Sequence, residues 1–231
     1  MGKLTFHGHA CTEIRTADGT RLLIDPWLTD NPLADVGPEA FYDDLDYVLL
    51  THGHFDHTGD AYEILRRSGA TLIATFELVA YAQNEEGVEH AHPLHIGGGF
   101  QFPFGRVQLT PAFHGGQVAG EKGGAYTTFP AGILMQLDGS SVYHAGDTSL
   151  TREFELLKDR VDVALLPIGD NFTMGPADAV RAVDMIRPGV VIPIHYDTFE
   201  AIQQDPEAFR DEVGDLAEVV ILSPGESYEF R

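Results

Sequence analysis

Short apolar runs rich in β-branched and aromatic residues recur along this chain, and polar residues, glycines or prolines close them. Residues 3–6, 12–15, 21–24 and 47–50 have this character in the first half, and residues 107–109, 132–137, 141–144, 163–166 and 190–194 in the second. Each predicts a strand. Helix candidates lie between and after them, at residues 59–67, 76–83, 152–158, 177–186 and 206–217. Pro176 suits a helical first turn, and Pro188-Gly189 suits a stop. The rhythm is two β-rich halves, each followed by helices, which is the α/β class. At 231 residues the chain is long enough for one large core, and no linker or low-complexity tract divides it. One domain over residues 1–231 is therefore expected.

The residues that end the runs carry the chemistry. The fourth run leads into Thr51-His52-Gly53-His54-Phe55-Asp56-His57, a heptapeptide crowded with metal-ligand side chains. If the chain is still extended through His52 and His54, their i, i+2 spacing points both imidazoles to one side, where they can grip one ion. Asp56 and His57 follow after a turn. Adjacent side chains diverge, so this pair is better placed to reach a neighbouring ion than to complete the first tetrahedron. The motif suggests two metals, and one loop does not supply enough ligands for both. Later segments offer His114 in Pro-Ala-Phe-His, Asp147 in Tyr-His-Ala-Gly-Asp-Thr and His195 in Val-Ile-Pro-Ile-His-Tyr. Each follows an apolar run, and strand-end loops gathered on one sheet edge are where an α/β protein builds its site.

With these residues in view, the chain resembles the metallo-β-lactamase superfamily, whose ligands occur in the order His-x-His-x-Asp-His, lone His, lone Asp, final His. Within it the chain is similar to a group of bacterial and archaeal metal-dependent hydrolases akin to the ascorbate-phosphate lactonases. The likeness includes His7-Gly8-His9-Ala10, the stretch from Ile24-Asp25-Pro26-Trp27 to Asn31-Pro32, the heptapeptide with Thr58-Gly59-Asp60, Leu166-Pro167-Ile168-Gly169-Asp170, and His195-Tyr196-Asp197-Thr198-Phe199. It implies a four-layer αβ/βα sandwich, two mixed β-sheets flanked by helices. It also implies one ion on His52, His54 and His114, a second on Asp56, His57 and His195, and Asp147 bridging them. Asp25 matches an acid that orients the ligands from behind. Phe55 stands where a glycine is common, and Gly115-Gly116 where serines are common; both changes are expected to reshape the pocket.

Two ions about 3.5 to 4 Å apart hold a bridging water and lower its pKa toward about 7, and one ion polarises the substrate oxygen. The reaction expected is metal-dependent hydrolysis of a small ester, lactone or phosphodiester, with Asp56 and His9 as further candidates for a catalytic part. His9 would donate to the substrate or act as general acid, or else be a structural histidine. Imidazole and carboxylate donors suit zinc, taken as the default, and also manganese, iron or nickel. The local positive charge would hold a small anionic substrate. The alternative is a metal- or metabolite-binding module with little turnover.

The net charge of −22 opposes nucleic acid and anionic membranes as partners, since the 14 Lys and Arg form no basic stripe. No membrane span and no signal-peptide segment is read, so a cytoplasmic location is expected. Assembly into a homo-oligomer is left open. Cys11 is the only cysteine; it reads as a small buried residue rather than a nucleophile. His90, His92 and His95 read as a surface loop before the Gly97-Gly98-Gly99 turn, and His144 as a buried structural histidine. In the segment 170–175, phenylalanine and methionine serve equally well as pocket lining or as core.

Overall fold

A computed structural model describes residues 1–119 and 126–231. The first sheet contains β1 (Gly2–Phe6), β2 (Thr12–Arg15), β3 (Arg21–Ile24), β4 (Tyr47–Leu49), β5 (Thr71–Thr75), β6 (Ala91–Leu94) and β14 (Ser227–Phe230). Their order is β14-β1-β2-β3-β4-β5-β6. The second contains β7 (Gly99–Phe102), β8 (Gly105–Pro111), β9 (Ala131–Leu137), β10 (Ser140–His144), β11 (Val163–Pro167), β12 (Val190–Ile194) and β13 (Glu218–Val219). These run β13-β12-β11-β10-β9-β8-β7. Both sheets are mixed: β3, β4, β5 and β6 pair in parallel, as do β10 to β13, and the remaining pairs are antiparallel.

Side chains alternate across a strand, and here both faces of the central strands are covered. On β3, Leu22 and Ile24 enter the core between the sheets while Leu23 faces outward. On β11, Val163 and Leu165 face inward while Ala164 and Leu166 face the helices. That double burial explains why these strands read as unbroken apolar runs. The inner core joins Leu4, Leu49 and Ile73 of the first sheet to Leu109, Ile133 and Ile192 of the second. Outside the first sheet pack α2 (Ala61–Ser68) and α3 (Phe76–Glu85). Outside the second pack α4 (Pro176–Ile186) and α5 (Pro206–Val213). The layers are helix, sheet, sheet, helix, the four-layer sandwich the resemblance implies.

Some local expectations change. Of the histidines at 90, 92 and 95, His92 does not sit in a loop: residues 91–94 form β6, paired in parallel with β5, and His90 and His95 flank it in irregular backbone. Pro93 and the polar residues disguised it, but β6 is an edge strand, where a missing N–H is tolerated. Residues 152–157 form a 3-10 helix rather than an α-helix. Phe154 and Leu157 are its buried residues, and an i, i+3 pair lies on one face of a threefold helix. The last predicted helix stops at Val213, because Gly214 takes φ 53°. Among the described residues, no helix is long and apolar enough to cross a membrane.

Candidate metal centre

Strand direction gathers the site. β1 and β3 are both antiparallel to β2, and β4 is parallel to β3, so all three run the same way. In the second sheet β8 and β10 both oppose β9, and β11 and β12 follow β10. His9, Asp25, the heptapeptide, His114, Asp147 and His195 all follow the C-terminal ends of such strands, and therefore meet on one edge. His9, Asp25 and His195 adopt left-handed backbone, with φ of 57°, 48° and 57°. Such conformations are uncommon for residues other than glycine and concentrate at functional sites. For Asp25 and His195 the reversal comes immediately after the last strand residue.

Eight side chains form two abutting groups, in each of which the potential ligand atoms lie within 4.8 Å of one another. In the first, His52 Nε2 and His114 Nε2 lie 3.0 and 3.2 Å from His54 Nδ1. Asp147 Oδ2 is 3.4 Å from His114 Nε2 and 3.9 Å from His52 Nε2. The second group is His9, Asp56, His57 and His195. Asp56 Oδ2 lies 3.7 Å from His195 Nε2 and 4.0 Å from His57 Nε2. Asp147 faces this group too, with Oδ1 3.2 Å from His57 Nε2 and Oδ2 3.1 Å from His195 Nε2. The structure thus brings together all of the predicted ligands, with Asp147 between the two sets. Asp56 and His57 lie on a single helical turn, α1 (Phe55–Thr58), and not in an irregular loop.

The donors fit a cation. His57 Nε2, His195 Nε2 and Asp147 Oδ1 are buried without hydrogen-bond partners, despite neighbours at 3.1 to 3.2 Å. Buried polar atoms converging on one another are costly unless positive charge sits among them. The outward-facing nitrogens of His57 and His52 are held, whereas Nδ1 of His195 is buried without a partner. Asp25 Oδ2 accepts from His57 Nδ1 at 2.8 Å and from Thr51 Oγ1 at 2.6 Å, while Asp25 Oδ1 accepts from the Thr51 amide at 2.9 Å. Because the Thr51 hydroxyl proton is directed to Asp25, its oxygen accepts from His52 Nδ1 at 3.0 Å. Both imidazoles are thereby held in the tautomer whose Nε2 lone pair faces the cluster.

Electrostatics divide the two groups. Burial lowers the pKa values of His52, His54 and His114, leaving them neutral at neutral pH, the form that binds metal. Burial opposes charge on His57 and His195 as well, but Asp147 and the neighbouring carboxylates outweigh it. His57 is held well above its ordinary value and His195 is raised to about 9. Burial would likewise raise Asp147 and Asp56, yet the imidazoliums beside them hold both well below the usual carboxylate range. A divalent cation in this group would displace those protons.

His9 is 1% exposed. Its Nε2 lies 3.1 Å from Asp56 Oδ2 and its Nδ1 2.6 Å from Thr198 Oγ1. Its carbonyl oxygen accepts the His195 amide at 2.7 Å. Burial lowers its pKa to about 4, so the ring is neutral at neutral pH. Thr51 and Thr198 carried no role in the sequence reading, although each stands beside a predicted ligand segment; only the fold shows that their hydroxyls orient imidazoles. His144 is fully buried, donating from Nε2 to the Ala10 carbonyl at 3.0 Å, and is structural as expected. His92 and His95 instead pack on Phe100 and Phe76. Cys11 is buried in the outer core of the first sheet, and burial pushes its thiol pKa well up.

Two mixed sheets between helical layers, with a His/Asp cluster on the edge where both sheets end, define the metallo-β-lactamase fold class. Residues 20–196 match the family described as the Beta-lactamase superfamily domain, and the chain belongs to the metallo-β-lactamase superfamily, among its metal-dependent hydrolases. It is 46% identical over 231 residues to the UPF0173 metal-dependent hydrolase of Anoxybacillus flavithermus, covering 99% of this chain and 100% of that protein. A UPF0173 metal-dependent hydrolase of Geobacillus sp. is 47% identical over 235 residues, with the same coverage. Among solved structures, Igni18, a metallo hydrolase of the hyperthermophilic archaeon Ignicoccus hospitalis, aligns with a TM-score of 0.87 at 37% identity. That alignment covers 100% of this chain and 99% of Igni18.

Proposed function

We propose that this protein hydrolyses a small ester, lactone or phosphodiester at a two-metal site. In this reading His52, His54 and His114 hold one divalent ion, Asp56, His57 and His195 hold a second, and Asp147 contacts both. The observation that carries it is the Asp147 carboxylate lying between two sets of donors, with its own Oδ1 and the Nε2 atoms of His57 and His195 buried without partners. Zinc is the first metal to test, with manganese, iron and nickel as alternatives on the same donor chemistry. Divalent ions bound there supply an activated water at neutral pH and polarise the carbonyl or phosphoryl oxygen. The chain's own part is to hold the donors in place. Asp25 and Thr51 orient His57 and His52, and the absence of thiolate donors leaves imidazole and carboxylate chemistry alone.

His9 is assigned to the same framework. A ring nitrogen facing an ionised carboxylate donates, so His9 Nε2–H donates to Asp56 and Nδ1 accepts from Thr198. No lone pair is left for a metal, and 1% exposure leaves no path to substrate. That arrangement supports the structural alternative over a general acid: His9 is a positioning residue for Asp56 and, through its carbonyl, for His195.

Metal analysis tests the assignment. Protein loaded with zinc or manganese is expected to hold two ions per chain, and Asp147→Ala or His54→Ala fewer. His9→Ala is expected to weaken one ion about 10- to 100-fold and leave the other in place. Turnover on a panel of esters, lactones and phosphodiesters should vanish with chelator and return with metal. Two tight ions in Asp147→Ala would overturn the ligand set, and inactivity of the loaded protein across the panel would overturn the hydrolase reading.

A further inference from the structure

A cavity of about 480 Å³ opens on the cluster, with His54, Asp56 and His114 at its base. Its walls are Phe55, Phe172, Phe199 and Ala201. Phe55 and Phe172 are each 55% exposed, a costly setting for a side chain that gains from burial. Single exposed apolar residues are ordinary, but rings grouped around the mouth of a ligand cluster mark a binding site. They come from three separate segments: the first residue of α1, the turn before α4 and the loop after His195. The wall is also braced. Phe199 stacks on Trp27 at 5.4 Å, Phe55 meets Trp27 edge-on at 5.8 Å, and Trp27 itself is only 5% exposed.

We infer that the substrate carries an uncharged apolar group, of about the size of an aromatic ring, which occupies this aromatic pocket while its scissile bond reaches the histidine and aspartate donors. The inference rests on the hydrolase reading and narrows its substrate class. The volume is that of a small-molecule site. Among the described residues no Lys or Arg lines it, and its one acidic side chain, Asp56, belongs to the cluster at the base. Phe55 and Phe199 also line an adjoining cavity of about 470 Å³ that contains Asp30 and Asp60. Away from the cluster at the base, a phosphate or carboxylate tail would therefore meet the negative faces of aromatic rings and two nearby carboxylates, with no Lys or Arg among the described lining residues. The expectation of an anionic substrate is thereby confined to the scissile group; the remainder of the molecule is apolar.

Trp27 is the only tryptophan in the chain and lies behind two of the pocket rings. Its fluorescence, together with calorimetry, can follow neutral amides binding to the zinc-loaded protein without turnover. Phenylacetamide is expected to bind about 10- to 100-fold more tightly than acetamide, the range for burying one ring. Phe172→Ala, which removes a ring 55% exposed at the pocket mouth, should erase most of that preference; Phe199→Ala should do the same. Equal affinities for the two amides, no binding of phenylacetamide, or a preference unchanged in both variants would overturn the inference. The hydrolase reading is judged separately. Turnover of methyl succinate monoester as fast as methyl phenylacetate would sink the apolar pocket and leave the hydrolase standing. A preserved ring preference with no turnover on any substrate would do the reverse.

Discussion

At the scale of single residues, this protein sets up its charged groups through the partners behind them. Glu13 shows the principle away from the metal cluster. Burial alone would raise its pKa, but the His7 imidazole 3.4 Å away and the hydrogen-bonded Arg21 guanidinium reverse that and lower it from 4.5 to about 2. Arg21 Nε meets Glu13 Oε1 at 2.7 Å, and both side chains are 13% exposed. A depressed carboxylate contributes stability that is present above its unfolded pKa and is lost as pH falls toward its folded value. Here that window runs from 4.5 down to about 2 and is worth about 3 kcal/mol. Glu13→Gln is therefore expected to be less stable than the wild type near neutral pH. Urea denaturation at pH 6, 4.5 and 3.5 should show the gap narrowing as pH falls. A gap of constant size would show that ionisation of Glu13 contributes nothing.

At the scale of elements, the strand ends matter more than the strands. The connection from β11 to α4 passes so close to the end of β12 that Gly169 has no room for a side chain. A Cβ there would press on the His195 carbonyl oxygen, with the Ile202 Cβ 3.1 Å away on another side. Gly169→Ala is expected to lower stability by about 1–3 kcal/mol through overpacking, because backbone cannot swing aside as a flexible side chain can. Since His195 is the residue pushed, the variant should also lose affinity for one metal ion. Thermal melting and metal analysis read the two effects separately, and a variant matching the wild type in both would show that the approach is not tight in solution. Gly116 works alike in the loop after β8, packed against the Thr128 backbone, while a Cβ on Gly115 would lie 3.3 Å from the His54 ring.

At the scale of the whole molecule, one apolar core joins the two sheets, and β1 near the start of the chain pairs with β14 at its end. Neither sheet can separate without exposing that core. We therefore expect residues 1–231 to unfold as a single cooperative unit. Trp27 fluorescence and far-ultraviolet circular dichroism should give coincident transitions; two separated transitions would mean two domains. The net charge of −22 acts at this scale as well, as a repulsion toward other anions that salt screens over about 10 Å.

Residue chemistry and chain order were enough to reveal the α/β class, the segments that form the cluster, and the split of the heptapeptide between two groups of side chains, because side-chain periodicity is local. The doubly buried strands β3, β4, β11 and β12 announced themselves as apolar runs for the same reason. The edge strand β6 did not, since an edge tolerates proline and polar residues that elsewhere argue against a strand. The part played by Thr51, Thr198 and His9 became visible only in the folded chain. His9 lies 47 residues from Asp56 and 189 from Thr198, so nothing local records their contact. The aromatic pocket follows the same logic: Phe55, Phe172 and Phe199 are ordinary apolar residues in their own segments. They become a binding surface only because parallel strand ends deliver them to one edge, and that convergence is a property of topology, which no local pattern encodes.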